Sequence, residues 1–103
     1  MWLCTSTGFI SIVADRHSTD NLLVRARVAR HIEAVFPSVQ VLTNENADYR
    51  FRALLSRQKV ADVVAKSVLN ISYDNFKNSV NDKSLHDGYM SVWWLMRQLQ
   101  EAV

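Results

Sequence analysis

The sequence predicts an α+β domain: an antiparallel sheet of about four strands, helices packed on one face, and a long C-terminal helix. Three observations predict it. Segments rich in β-branched and aromatic residues, apolar at alternate positions, fill the first half of the chain. Segments with apolar residues at three- and four-residue spacing fill the second half. The strand-like segments come in adjacent pairs joined by turn formers, so they pair antiparallel. With 103 residues, 49% hydrophobic and 21% charged, the chain suits one domain over 1–103 and is not disordered.

Residues 3–15, LCTSTGFISIVAD, read as one or two strand pieces, with Gly8 marking a turn or bulge. DRHSTDN (15–21) is a polar loop. LLVRARV (22–28) alternates: Leu22, Val24 and Ala26 face the core, and Leu23, Arg25 and Arg27 face the other way. ARHIEAVFP (29–37) reads as a short helix with an apolar stripe of Ala29, Ile32, Val35 and Phe36, stopped by Pro37. VQVLT (39–43) reads as a strand, NENAD (44–48) as a turn, and YRFRALL (49–55) as the next strand. In that last strand Tyr49, Phe51, Ala53 and Leu55 share one face; Arg50, Arg52 and Leu54 share the other.

Ser56 is an N-cap for a helix over 57–70, whose valines are weak helix formers held by packing. After a break near 71, Asp74 caps a short helix carrying Phe76 and Val80. Ser84 and Asp87 form a capping-box pattern, with Asp in the usual Glu place, opening a helix over 85–101. Its buried stripe is Leu85, Tyr89, Val92, Trp93, Met96 and Leu99; Trp94 lies off it, beside Met90 and Arg97.

Charge narrows the function classes. The net charge is +2 and the pI about 8.9, mildly basic and insufficient to mark a nucleic-acid binder alone. Eight of the twelve basic residues are arginines, whose planar fork suits carboxylate or phosphate. The lone Cys4 forms no internal disulfide and reads as a small buried hydrophobe, consistent with a reducing cytoplasm. No apolar run reaches the ~18 residues of a membrane span, and no signal peptide is expected at the N-terminus. His17, His31 and His86 lack metal-site spacing, and Asp74 and Asp82 lack that of a calcium loop, so no metal or cofactor is expected. His86 and Asp87 could form a base with its orienting acid, but no nucleophile accompanies them, so no catalytic residue is assigned.

Three sets of residues are candidates for binding. Arg25 and Arg27 alternate on one strand, and Arg50 and Arg52 on another. If these strands are neighbours, four guanidinium groups meet on one sheet face and call for a counter-charge, from within the chain or from a partner. Tyr49 and Phe51 fall opposite them, which argues against base stacking. Tyr73, Asn75 and Lys77 lie in a segment whose Asn and Asp density suits caps and turns, or a recognition loop. Trp94, if exposed, marks a partner or homodimer contact on the C-terminal helix.

The order of short motifs resembles a family of small uncharacterised bacterial and phage-associated proteins. The motifs are Trp2; Gly8, Phe9 and Ser11; Val24 to Arg27; Asp48 to Arg50 with Arg52; Tyr73 to Lys77; and His86, Tyr89, Val92, Trp93 and Met96. They span nearly the whole chain, and their order rather than any single one carries the resemblance. The loop at 15–21 is shorter here than in that pattern. The resemblance implies one compact domain and no activity, and brings no catalytic residue; the phage or mobile-element setting it suggests would suit a modulator or inhibitor of a host system. The expected function is a cytoplasmic, non-enzymatic protein that binds a macromolecular partner, first of all a protein. The alternative is a nucleic-acid-binding module contacting phosphates through the sheet-face arginines. No membrane association is expected.

Overall fold

The computed structural model describes residues 1–103. Five strands form one antiparallel sheet in the order β1-β2-β3-β5-β4: β1 Trp2–Cys4, β2 Phe9–Ala14, β3 Asn21–Ala26, β4 Leu42–Thr43 and β5 Phe51–Ser56. Three helices accompany it: α1 His31–Val35, α2 Arg57–Leu69 and α3 Lys83–Ala102. The α+β class and the long last helix are as expected. The fifth strand arises because the first segment divides at a tight turn. There Thr5 N–H donates to the Gly8 carbonyl (3.0 Å), and Gly8 N–H donates to Thr5 Oγ1 (3.0 Å).

Strand alternation sorts the side chains onto two faces. Ile10, Ala26 and Phe51 stand in one cross-strand row, and Ile12, Val24 and Ala53 in the next. These rows meet Ile32, Val35 and Phe36 from the α1 region and Val60 from α2, forming the main core. The α1 stripe omits Ala29, which precedes the helix and is exposed; the helix starts only after Arg30, whose φ is 76°. The strand expected over 39–43 shortens to Leu42–Thr43. Ser38 turns the chain with a φ of 66°, and Val39 and Val41 pack against the core instead of joining the ladder.

Ser56 caps α2 as expected, accepting the Lys59 N–H at 3.1 Å. Two other helix starts differ from expectation. The short helix is a 3₁₀ turn over Lys77–Ser79, where Asn75 rather than Asp74 accepts the Asn78 N–H. Asp82 rather than Ser84 caps α3, accepting the Leu85 N–H at 2.9 Å. A carboxylate there also favours the positive end of the helix dipole.

A second, smaller core gathers Val80, Leu85 and Tyr89 against Phe9 and Phe76. Phe9 alternates with Ile10, so this cluster sits on the sheet face away from the main core. Tyr89 Oη donates to the carbonyls of Thr5 and Gly8, both at 2.9 Å, and so ties α3 to the β1–β2 turn. Beyond Met90 every residue of α3 is exposed, so the expected burial of Val92, Trp93, Met96 and Leu99 is overturned. Length explains it: a 20-residue helix runs ~30 Å, while its footing is only the β1–β2 turn, Phe9 and the segment carrying Phe76 and Val80.

Two predictions follow from this corner. A Cβ on Gly8 would sit 2.9 Å from the His31 carbonyl oxygen and 3.2 Å from its Cα, both backbone atoms. Gly8→Ala therefore forces the turn off α1 and lowers stability by about 1–3 kcal/mol in urea denaturation. Burial holds the Tyr89 hydroxyl well above its ordinary value of 10.0. The folded state keeps that proton while the unfolded chain loses it, so this contribution is complete below pH 10 and declines above it. Tyr89→Phe loses about 1–2 kcal/mol at neutral pH and loses less stability than the parent between pH 9 and 11.

Candidate interaction surfaces

β3 and β5 are neighbours, and their register sets Arg25 directly opposite Arg52. Both point away from the main core. Arg27 and Arg50 lie just past the ends of the two strands at the same edge of the ladder. The four arginines are therefore brought together, but they do not form a uniform cationic array.

Two of them are neutralised from within. Arg27 bonds the Asp48 carboxylate at 2.8 Å and the Asp48 carbonyl at 3.1 Å. The hydrogen bond from Arg27 holds the Asp48 carboxyl below its usual range. Arg50 pairs with Glu45 at 3.7 Å. Arg25 reaches inward instead: its Nη2 donates to Ser11 Oγ at 2.9 Å. Ser11 is 1% exposed and shares the cross-strand row with Arg25. The buried Nε of Arg25 has no partner. Arg52 takes part in no ion pair and no side-chain hydrogen bond.

Tyr49 does not lie opposite the arginines. Its ring sits 4.4 Å from the guanidinium carbon of Arg25 and 4.0 Å from that of Arg27. Regular pairing of β5 starts only at Phe51, so strand alternation does not extend back to Tyr49. The ring is 4% exposed, capped by the two cations whose repulsion its negative face reduces. Sequence reasoning missed this stack, because a residue outside the ladder carries no face assignment.

Beside the stack the sheet is open. A basin of about 900 Å³ has Val13, Leu23 and Leu54 as its apolar row, next to Arg25 and Arg52. The loops at 15–17 and 43–45 wall its ends. No helix covers this part of the sheet.

The 73–77 segment meets α3. Tyr73 packs on Phe76 with ring centroids 5.6 Å apart, and Phe76 packs on Tyr89 at 5.2 Å. The Asn75 side-chain oxygen is occupied by the Asn78 N–H at 3.2 Å. Lys77 Nζ lies 5.3 Å from the ring of Trp93, which Arg97 approaches at 5.6 Å. Trp93, expected in the core, lines a shallow groove of about 420 Å³ with Cys4, Asn75 and Lys77. Trp94 is exposed and pairs with no aromatic or cationic group. Cys4 is exposed rather than buried, since it shares the Phe9 side of the sheet and α3 does not close over it. Its partial burial still pushes the thiol up, so it stays protonated at neutral pH.

His86 Nδ1 lies 3.7 Å from Asp87 Oδ1, while Asp87 Oδ2 accepts from Lys83 at 2.8 Å. No hydroxyl or thiol bonds to His86. No three His, Cys, Asp or Glu side chains converge on a point.

No family model, no curated protein and no solved structure matches the chain. The reading of these surfaces therefore rests on their geometry.

The stack and the ion pair differ in what they contribute. Tyr49→Ala removes a buried ring and lowers stability by about 3–5 kcal/mol in denaturant unfolding. The Arg27–Asp48 pair is exposed, so Asp48→Asn produces only a small loss. Its signature is pH dependence. The folded carboxyl is depressed, so the stability it contributes is present above its unfolded value and lost as pH falls below about 4. Asp48→Asn flattens that part of the acid limb.

Proposed function

We propose that the chain is a non-enzymatic binding module whose open sheet face receives an acidic, apolar segment of a partner protein. One observation carries this reading: Arg52, without an internal partner, stands directly opposite Arg25 in an uncovered basin. Like charges directly opposite on a sheet are destabilising, and carboxylates presented between them reverse the sign. Arginine accepts a carboxylate through two parallel bonds, which sets orientation as well as affinity. The adjoining row of Val13, Leu23 and Leu54 offers apolar contact to the same segment.

Phosphate contact by the same arginines is the alternative. Self-neutralisation of Arg27 and Arg50 weakens it, as does the capping of Tyr49, the nearest ring for base stacking. No helix is long and apolar enough to cross a membrane, and a single unpaired cysteine fits a reducing cytoplasm. A modulator or inhibitor role in a phage or mobile-element setting would act through this face.

The test is an NMR titration that follows the arginine Nε–Hε resonances. The probes are a Glu-Leu-Glu-Leu-Glu peptide, its Gln-for-Glu counterpart and oligo(dT). The proposal expects saturable shifts at Arg25 and Arg52 with the acidic peptide alone, lost in Arg52→Gln. Shifts produced by oligo(dT), weakening steeply with salt, would favour the phosphate alternative. Silence with all three probes would refute the proposed face.

A further inference from the structure

Arg25 and Arg52 stand closer together than opposition on a sheet alone requires. Antiparallel pairs alternate between those that exchange backbone hydrogen bonds and those that do not, and the second kind sets Cα atoms ~4.5 Å apart rather than ~5.5 Å. Met1 and Ile12 exchange both bonds at 2.8 Å, so the backbone groups of Ile12 face β1 and those of Ser11 face β3, toward Arg25. From the other side, Asn44 N–H donates to the Arg50 carbonyl at 2.8 Å, so the backbone groups of Arg50 and Arg52 face β4. The two arginines therefore turn their backbone bonds away from each other and form the closer, non-hydrogen-bonded kind of pair. Both guanidiniums keep free donors. Arg25 gives one Nη2 hydrogen to Ser11 and its Nε is closed off by burial, which leaves Nη1. The Ser11 bond and the Tyr49 ring, 4.4 Å away, hold Arg25 in place before any ligand arrives. Arg52 keeps all of its donors. No carboxylate of the chain forms an ion pair with either arginine: at the basin walls Glu45 pairs with Arg50, and Asp15 accepts the His17 N–H and stands beside Arg16.

We propose that Arg25 and Arg52 together clamp one phosphate monoester, a phosphorylated side chain in the acidic, apolar segment proposed above for the open face, and the clamp rests on that reading of the face. Charge selects this anion. A single carboxylate carries one negative charge and leaves one of the two facing cations unbalanced. Two carboxylates brought side by side over so close a pair repel each other as the arginines do. A phosphodiester of a nucleic acid again carries one charge per phosphate. A phosphorylated serine, threonine or tyrosine carries about −1.5 to −2 at pH 7 on one group, with three strong acceptor oxygens. One such group takes charge-assisted bonds from both guanidiniums at once. The row of Val13, Leu23 and Leu54 then receives the apolar neighbours of the modified residue.

The test is isothermal titration calorimetry of the full chain with Glu-Leu-phosphoserine-Leu-Glu, Glu-Leu-Glu-Leu-Glu and Glu-Leu-Ser-Leu-Glu. The phosphorylated peptide is expected to bind about tenfold more tightly than its Glu counterpart, the effect of one added charge-assisted bond. Inorganic phosphate is expected to bind about tenfold or more below the phosphorylated peptide, because it brings no apolar neighbours. Arg52→Gln breaks no bond within the chain, so it keeps the parent near-UV circular dichroism. It is expected to cut the advantage of the phosphorylated peptide to about twofold or less. Equal binding of the phosphorylated and Glu peptides overturns the clamp and leaves the acidic-segment face standing. An advantage that survives Arg52→Gln overturns the clamp as well, as does inorganic phosphate or oligo(dT) binding as tightly as the phosphorylated peptide. Absence of binding by every peptide overturns the clamp and the face together.

Discussion

Six consecutive residue pairs, from Asn21–Ser56 to Ala26–Phe51, hold β3 to β5 at the centre of the sheet. Their register sets Val24 against Ala53 on one face and Arg25 against Arg52 on the other. The side-chain period of a strand is two, so a slip of one residue would exchange the faces. Val24 is fully buried beneath α1 and α2. A slip would drive a guanidinium into that core at a desolvation cost no nearby carboxylate offsets. The core thus fixes the register, and the register places the arginines where no helix covers them.

On the uncovered face the arginines are graded rather than equivalent. Arg27 is held by Asp48 and Arg50 by Glu45, both on the turn that leads into β5. Arg25 is held by a neutral hydroxyl and by the face of Tyr49, which reduce repulsion without cancelling charge. Arg52 is held by nothing. The positive potential therefore concentrates at the centre of the sheet, beside the apolar row. Arg25 and Arg27 draw their hydrogen-bonding partners from distant parts of the chain, so the gradation is largely a product of the fold rather than of local sequence.

The legible parts of the fold were those governed by short-range rules. Alternation over 22–26 and 51–55 assigns the right faces because both stretches lie inside the ladder. Ser56 was readable as a cap because its hydroxyl bonds only three residues on. The misread parts depended on how far a neighbour extends. Tyr49 was assigned by an alternation that starts two residues later. Val92, Trp93, Met96 and Leu99 follow helical spacing faithfully, but periodicity shows that a face is apolar, not whether this chain covers it. Asp82 and Ser84 are both competent caps, and the choice fell to the one that starts the helix early enough to bring Leu85 and Tyr89 onto Phe9. Within the candidate site, the proximity of the arginines was readable from pairing order. Their unequal partnering was not, since Ser11 lies fourteen residues from Arg25 and Asp48 twenty-one from Arg27.

The register of β3 on β5 decides which residues each sheet face carries, and cross-strand proton contacts in an NMR spectrum report it residue by residue. Backbone contacts are expected between Arg25 and Arg52 and between Val24 and Ala53. The ring of Tyr49 is also expected to shift side-chain protons of Arg25 and Arg27 upfield. Contacts pairing Arg25 with Phe51 or Ala53 instead would mean that the strand is slipped by one residue. The arginine face, and the binding role built on it, would then fall together.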